Sequence, residues 1–192
     1  MALLILDTST DYMLMGIVED GTVLGYVYER FNRQHAEQLL PQLKQLLTKT
    51  SRTIDDLHLG CISIGPGSFT GIRLGLTLVK TMALATKMRL VPVSSLHVLG
   101  LQRGMTFAWI DARAKRMYGA LYEHGIEIKS PRIWTHEEAD ELLRQYPHAT
   151  RVTFDDTFDV STHLIELANY VKTQQPIKRA HTLVTLYLKD LQ

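Results

Sequence analysis

Residues 5–21, ILDTSTDYMLMGIVEDG, and residues 109–125, WIDARAKRMYGALYEHG, align without a gap at an offset of 104. Asp7 falls on Asp111, Met13 on Met117, Ile17 on Leu121, Glu19 on Glu123 and Gly21 on Gly125. Each copy reads as an apolar strand, an aspartate at its end, a tight turn and a returning strand. Two unrelated hairpins could share part of this pattern, but helices follow both copies. After the second, THEEADELLRQ opens with a capping box, Thr135 to Glu138, and VSTHLIELANYVKT is amphipathic. The simplest architecture is an α/β fold of two duplicated β-β-β-α-β-α lobes, each with a mixed sheet. The boundaries read as 1–104 and 105–192, the second lobe being the shorter.

The remaining elements of the first lobe follow from apolar spacing. Strands are expected at ALLIL, YMLMGIV and TVLGYVY, the last two joined by the turn signal Asp20-Gly21, and again at LHLGCISI and RLVPV. A helix is expected at 34–49, with Ala36, Leu39, Leu40, Leu43, Leu46 and Leu47 on one face. Pro41 must lie in its first turn or kink it, because proline removes an internal hydrogen bond.

Across 192 residues, 45% are hydrophobic and 21% charged, and 21 basic against 20 acidic residues leave a net charge of +1. This is ordinary globular composition, without the single-sign runs that mark a nucleic-acid or membrane surface. The single cysteine, Cys61, excludes an intramolecular disulfide and reads as a buried small hydrophobe in LGCISI. The apolar run before Asp7 is too short for a signal peptide, and no stretch approaches the ~20 apolar residues of a membrane span. A cytoplasmic protein with no membrane contact is expected.

Between strand and helix lies SIGPGSFTGIRLG, residues 63–75, which resembles a phosphate cradle. A P-loop needs G-x-x-x-x-G-K-[ST], but here five residues separate Gly65 from Gly71, and Ile72 stands in place of lysine. The dinucleotide fingerprint G-x-G-x-x-G fails too: the spacing is one residue too long, and 85–91 offers no carboxylate. Two readings survive. Either the glycines and Pro66 shape a tight turn capped by Ser68 or Thr70, or Asp7, Ser68, Thr70 and Arg73 form a weak anion or nucleotide site at a helix start.

The helix launched by this loop, expected at 70–87, has apolar residues on two sides. Ile72, Gly75, Leu76, Val79 and Ala83 make one face; Leu74, Leu78, Met82 and Ala85 make another. A helix lying on a sheet needs one apolar stripe. The second face is therefore either a partner surface or the sign of a helix sandwiched within the core.

The motifs GPGSFTGIRLGL, LDTST, HAEQLLP, VPVSSL and WIDARAKRMYGALY together resemble the TsaB (YeaZ) family. The resemblance covers roughly residues 3–122; GPGSFTG-x-R is its most specific block, and the rest matches loosely. It implies an actin/Hsp70/sugar-kinase-like fold of two duplicated lobes. It also implies a non-catalytic scaffold subunit of the bacterial machinery that makes threonylcarbamoyladenosine in tRNA. Such chains pair with the TsaD transferase, recruit the TsaE ATPase and form homodimers through the same face. The complex uses ATP, and tRNA is met through the complex. Mapped onto this sequence, the implied partner contacts are Leu39, Leu43, Leu46, Arg73, Leu74, Leu78 and Lys80.

The chain itself reads as non-catalytic, without a metal site or a firmly bound cofactor. The sister transferase holds a metal through H-x-x-x-H. None of the eight histidines here forms that pair, and His35 is followed four positions on by Leu39. Neither Asp7-Thr8-Ser9-Thr10 nor Asp111-Ala112-Arg113-Ala114 carries the glycine that lets backbone approach a phosphate, so the two aspartates read as turn caps. The alternatives are a small ATP-dependent kinase or ATPase of the same superfold, and a peptidase, for which no local signature exists.

Overall fold

The computed structural model describes residues 1–32, 34–101, 104–186 and 188. The first lobe runs β1 (Ala2–Asp7), β2 (Tyr12–Glu19), β3 (Thr22–Arg30), α1 (His35–Lys49), β4 (Leu57–Ser63), α2 (Phe69–Ala85), β5 (Arg89–Val93) and α3 (Ser95–Gly100). The second runs β6 (Met105–Arg113), β7 (Arg116–Glu123), β8 (Ile126–Thr135), α4 (His136–Gln145), β9 (Thr150–Val152) and α5 (Val160–Thr173). The first sheet is ordered β3-β2-β1-β4-β5 and the second β8-β7-β6-β9. Stripped of β5, the two orders are identical. In each, the hairpin strands pair antiparallel and the strand after the helix pairs parallel with the first. The offset of 104 holds through the third strand, since β2 and β7 begin at 12 and 116, and β3 and β8 at 22 and 126.

Strand alternation builds five layers. Along β1, Leu4 and Leu6 point to one side and join Leu39, Leu43 and Leu46 of α1 with Ile72, Leu76 and Val79 of α2. Leu3 and Ile5 point to the other, into a core shared by both sheets through α3 and α5. The far face of the second sheet is closed by α4 against Phe107 and Trp134. The order is thus α1 and α2, first sheet, α3 and α5, second sheet, α4. Thr135 caps α4 with the expected box to Glu138, whereas α3, six residues long, was not anticipated from the sequence. Pro41 lies beyond the first turn of α1, on its exposed side, where the missing amide bond costs least.

One feature crosses the lobe boundary. After α5 the chain returns to the first lobe. The Ile177 N–H donates to Leu90 O at 2.9 Å, Leu183 is buried in the α1–α2 core, and the Leu186 N–H donates to Ile64 O at 2.7 Å. Residues after 173 thus make contacts with the first lobe. They form a strap across β5 and the flank of α2. The strap also answers half of the two-face question, because Ile177, Ala180 and Leu183 cover apolar surface of the α2 layer from within the chain. Within it, the closing segment LVTLYLKD includes residues 187, 189 and 190, which lie outside the described residues.

Candidate partner surface and the closed strand end

The glycine loop earns its composition from backbone contact. A Cβ on Gly67 would stand 2.2 Å from Ser9 O, and one on Gly71 would stand 2.0 Å from Thr8 O. No side chain fits there, so the loop lies directly on the β1–β2 turn. The Ser68 N–H donates to Ser9 O at 2.6 Å, and the Thr8 hydroxyl donates to Gly71 O at 2.7 Å. The Ser68 hydroxyl accepts from the Gly71 N–H at 3.2 Å and caps α2. Turn and cap are thus observed, and the loop occupies the space above the turn.

This arrangement does not join the four anion-site candidates. Asp7 is sealed at 2% exposure, its Oδ1 accepting the Ser9 N–H at 2.7 Å. Burial pushes its carboxyl above the ordinary range, opposed by neighbouring Ser9, Ser63 and His35. Ser68, Thr70 and Arg73 are exposed; the Ser68 oxygen is committed to the cap, and the Arg73 guanidinium lies over the Phe69 ring, 3.7 Å from its centroid. A cradle combining a sealed carboxylate with these three exposed groups is not formed, because the loop itself separates them. In the second lobe Asp111 accepts the Arg113 N–H at 2.8 Å in an exposed turn.

The partner-contact candidates divide by burial. Leu39, Leu43 and Leu46 are at most 6% exposed and pack inward on the first sheet, so they cannot present side chains to another protein. Their periodicity marked the buried face of α1, and each contributes roughly 2 kcal/mol of burial. Arg73 is exposed, while Leu74, Leu78 and Lys80 are half-buried, Leu74 and Leu78 packing against the α1–α2 core. The large apolar groups that do face out are Leu40 of α1, 62% exposed, and Phe69 and Leu84 of α2, 53% and 73% exposed. Leu84 belongs to neither apolar face read from the sequence, whereas Leu40, like Ala36, was expected on the inward face of α1 with Leu39 and Leu43 and instead points out, because the sheet covers only the stripe Leu39, Leu43 and Leu46.

Between the lobes, Tyr12 and Tyr28 stack at 5.1 Å and reach the loop before α5. The Tyr12 hydroxyl donates to Asp156 Oδ1 at 2.7 Å, and the Tyr28 hydroxyl donates to Asp155 O at 2.8 Å. Behind them His163 is buried against Phe158, neither ring nitrogen hydrogen-bonded, and burial pushes its pKa down to about 4. Burial also pushes the Cys61 thiol up, away from nucleophile chemistry. No group of three or more His, Cys, Asp or Glu side chains is placed to hold a metal among the described residues. Nor is any helix there long and apolar enough to cross a membrane.

Two lobes with the same 3-2-1-4 strand order, facing each other across a shared helical layer, define a protein of the actin/Hsp70/sugar-kinase type. The chain belongs to the family whose model is described as TsaD, tRNA N6-adenosine threonylcarbamoyltransferase, which matches residues 21–146. Within that family it is similar to the tRNA threonylcarbamoyladenosine biosynthesis protein TsaB of Escherichia coli strain K12. The two are 31% identical over 150 residues, 75% of this chain and 63% of the relative. The TsaB protein of Bacillus subtilis strain 168 is 30% identical over 128 residues, covering 65% of this chain and 56% of the relative. Both matches therefore span less than two thirds of the curated proteins. The fold is that of a Pseudomonas aeruginosa protein described as similar to the peptidase YeaZ, with a TM-score of 0.81 at 22% identity, covering 98% and 99% of the two chains.

Proposed function

We propose that this chain is a TsaB-type, non-catalytic subunit of the machinery that makes threonylcarbamoyladenosine in tRNA. It pairs with a TsaD-type transferase, and a TsaE-type ATPase joins the pair. Alone it forms a homodimer through the same surface, and it meets tRNA only within the assembly, in the cytoplasm. The observation that carries the reading is an outer helical layer presenting Leu40, Phe69 and Leu84 to solvent in a chain of this family. Leu40 and Leu84, 62% and 73% exposed, are large apolar side chains left to solvent on helices whose other apolar positions are covered, which suits a contact with another protein. The non-catalytic part rests on the strand end at Asp7, closed by the chain's own backbone where a nucleotide phosphate would need room. ATP is accordingly used by the assembly, with at most weak contact to this subunit.

The test mixes the chain with a TsaD homologue, with and without ATP and a TsaE homologue, and reads molar mass by light scattering. Leu84→Glu and Leu40→Glu should abolish the complex while leaving the melting temperature nearly unchanged, as surface substitutions do. Leu39→Glu should unfold the chain instead, because it puts a charge in the core. Absence of any complex in all conditions overturns the proposal. ATP hydrolysis by the pure chain, lost in Asp7→Ala, would favour the small-ATPase reading.

A further inference from the structure

The turn between β6 and β7 gathers three cations, Arg113, Lys115 and Arg116, and all three are exposed. Arg113 and Arg116 are paired across the hairpin. Residues directly opposite on antiparallel strands share a face, where like charges repel. Alternation along β7 puts Met117 against the α4 core and Tyr118 and Ala120 against the layer shared by both lobes, so Arg116 lies on the side turned to the first lobe. Asp111 pairs with Met117 and lies on the other side of the sheet, one of its oxygens taken by the Arg113 N–H. No ion pair among the described residues reaches any of the three cations.

The hairpin does not need cations in order to fold. The offset of 104 puts Ser9, Asp11 and Tyr12 at the same positions of the first hairpin, which makes its turn without a basic residue. Repelling charges held together on an open turn suit a polyanion, whose phosphates supply the missing counter-charge. We propose that Arg113, Lys115 and Arg116 contact the phosphate backbone of RNA. The two guanidinium forks match phosphate oxygens in pairs, and Lys115 adds a point charge. Such contacts position the polymer without reading its sequence. RNA is favoured over other polyanions because the family model that matches this chain is that of a tRNA-modifying transferase, so the inference rests on the proposed role in tRNA modification. Three phosphate contacts hold RNA only weakly at physiological salt, which agrees with tRNA being met within the assembly. The first sheet and the shared helices lie between this lobe's sheet and the α1–α2 layer, so RNA and a protein partner can be bound together.

Fluorescence anisotropy with a labelled, unmodified tRNA transcript tests the proposal, both on the chain with its TsaD homologue and on the full chain alone in low salt. Arg113→Gln, Lys115→Gln and Arg116→Gln combined should weaken binding about tenfold. They should also flatten the fall of log affinity with log salt by about 0.7 to 0.9 for each cation removed. Lys129→Gln, Lys172→Gln and Lys178→Gln combined remove the same charge from exposed positions elsewhere and should leave affinity within about twofold. The hairpin variant should melt no lower than wild type, because it relieves the repulsion between Arg113 and Arg116. Binding lost together with a lowered melting temperature would give these residues a structural role and overturn the proposal. Equal tRNA affinity in both variants overturns it too, as does a wild-type chain that binds no tRNA alone or in the complex. Capture by phosphatidylglycerol vesicles in place of tRNA likewise overturns it. Should no complex form with the TsaD homologue, the subunit reading falls, and the low-salt titration of the chain alone still decides whether the hairpin binds RNA.

Discussion

Asp7 and Asp111 close equivalent turns, each accepting a hydrogen bond from the amide two residues on, at 2.7 and 2.8 Å. Their surroundings differ completely. The turn after β1 is roofed by Gly67 and Gly71 and sealed from solvent; the turn after β6 stays open, with Arg113, Ala114 and Lys115 all in the left-handed region at φ of 65, 50 and 60°. Three consecutive non-glycine residues there carry strain. The covered turn tolerates no added atom, whereas the open one would be relieved by losing one. A duplicated hairpin has become packing in one lobe and exposed surface in the other.

Opposite glycine substitutions test that contrast most severely. Gly71→Ala drives a methyl into Thr8 O and should cost more than about 3 kcal/mol in urea unfolding. A stable Gly71→Ala protein would show that the roof can lift, and the comparison would fail. Next in size is a pH effect in the buried layer between the lobes. His163 is held at about 4, below its ordinary 6.5, so the folded chain binds the proton less tightly than the unfolded chain. Stability should be full above pH 6.5 and fall as pH drops from 6.5 towards 4, by roughly 3 kcal/mol in all. His163→Leu should flatten that part of the curve in denaturant titrations at stepped pH.

Thr8→Val keeps the shape of the covered turn but loses the hydroxyl bond to Gly71 O, and should cost about 1–2 kcal/mol. The smallest expected effect has the opposite sign. Ala114→Gly removes left-handed strain from the open turn and should stabilise by about 0.5 kcal/mol, visible as a small rise in melting temperature. A loss of stability there would mean that the open turn is held by contacts of its own.

Much of this architecture was legible because local patterns carried it. The hairpins, the 104-residue offset and the capping box at Thr135 depend on neighbouring residues, and the strands formed where alternation put them. The site was less legible because its deciding contacts are distant in sequence. The stripe Leu39, Leu43 and Leu46 reveals that α1 buries a face, but periodicity cannot say whether a sheet or another protein covers it. The seal over Asp7 comes from residues about 60 positions away, and the cover on α2 comes from the strap after α5. For the same reason, the glycine loop read as spacing against phosphate motifs gave no hint that its missing side chains make room for the chain's own turn.

The strap also fixes an order of assembly. Leu183 completes a core whose sheet ends at Val93, so that core must wait for a segment made ninety residues later. On a ribosome the first lobe would emerge with all its strands yet with the flank of α2 still bare, until the second lobe had followed and the chain had turned back. The lobes are duplicated in sequence, yet the first takes part of its cover from a segment that follows the second. A fragment cut at their boundary would inherit a sheet without its last piece of cover.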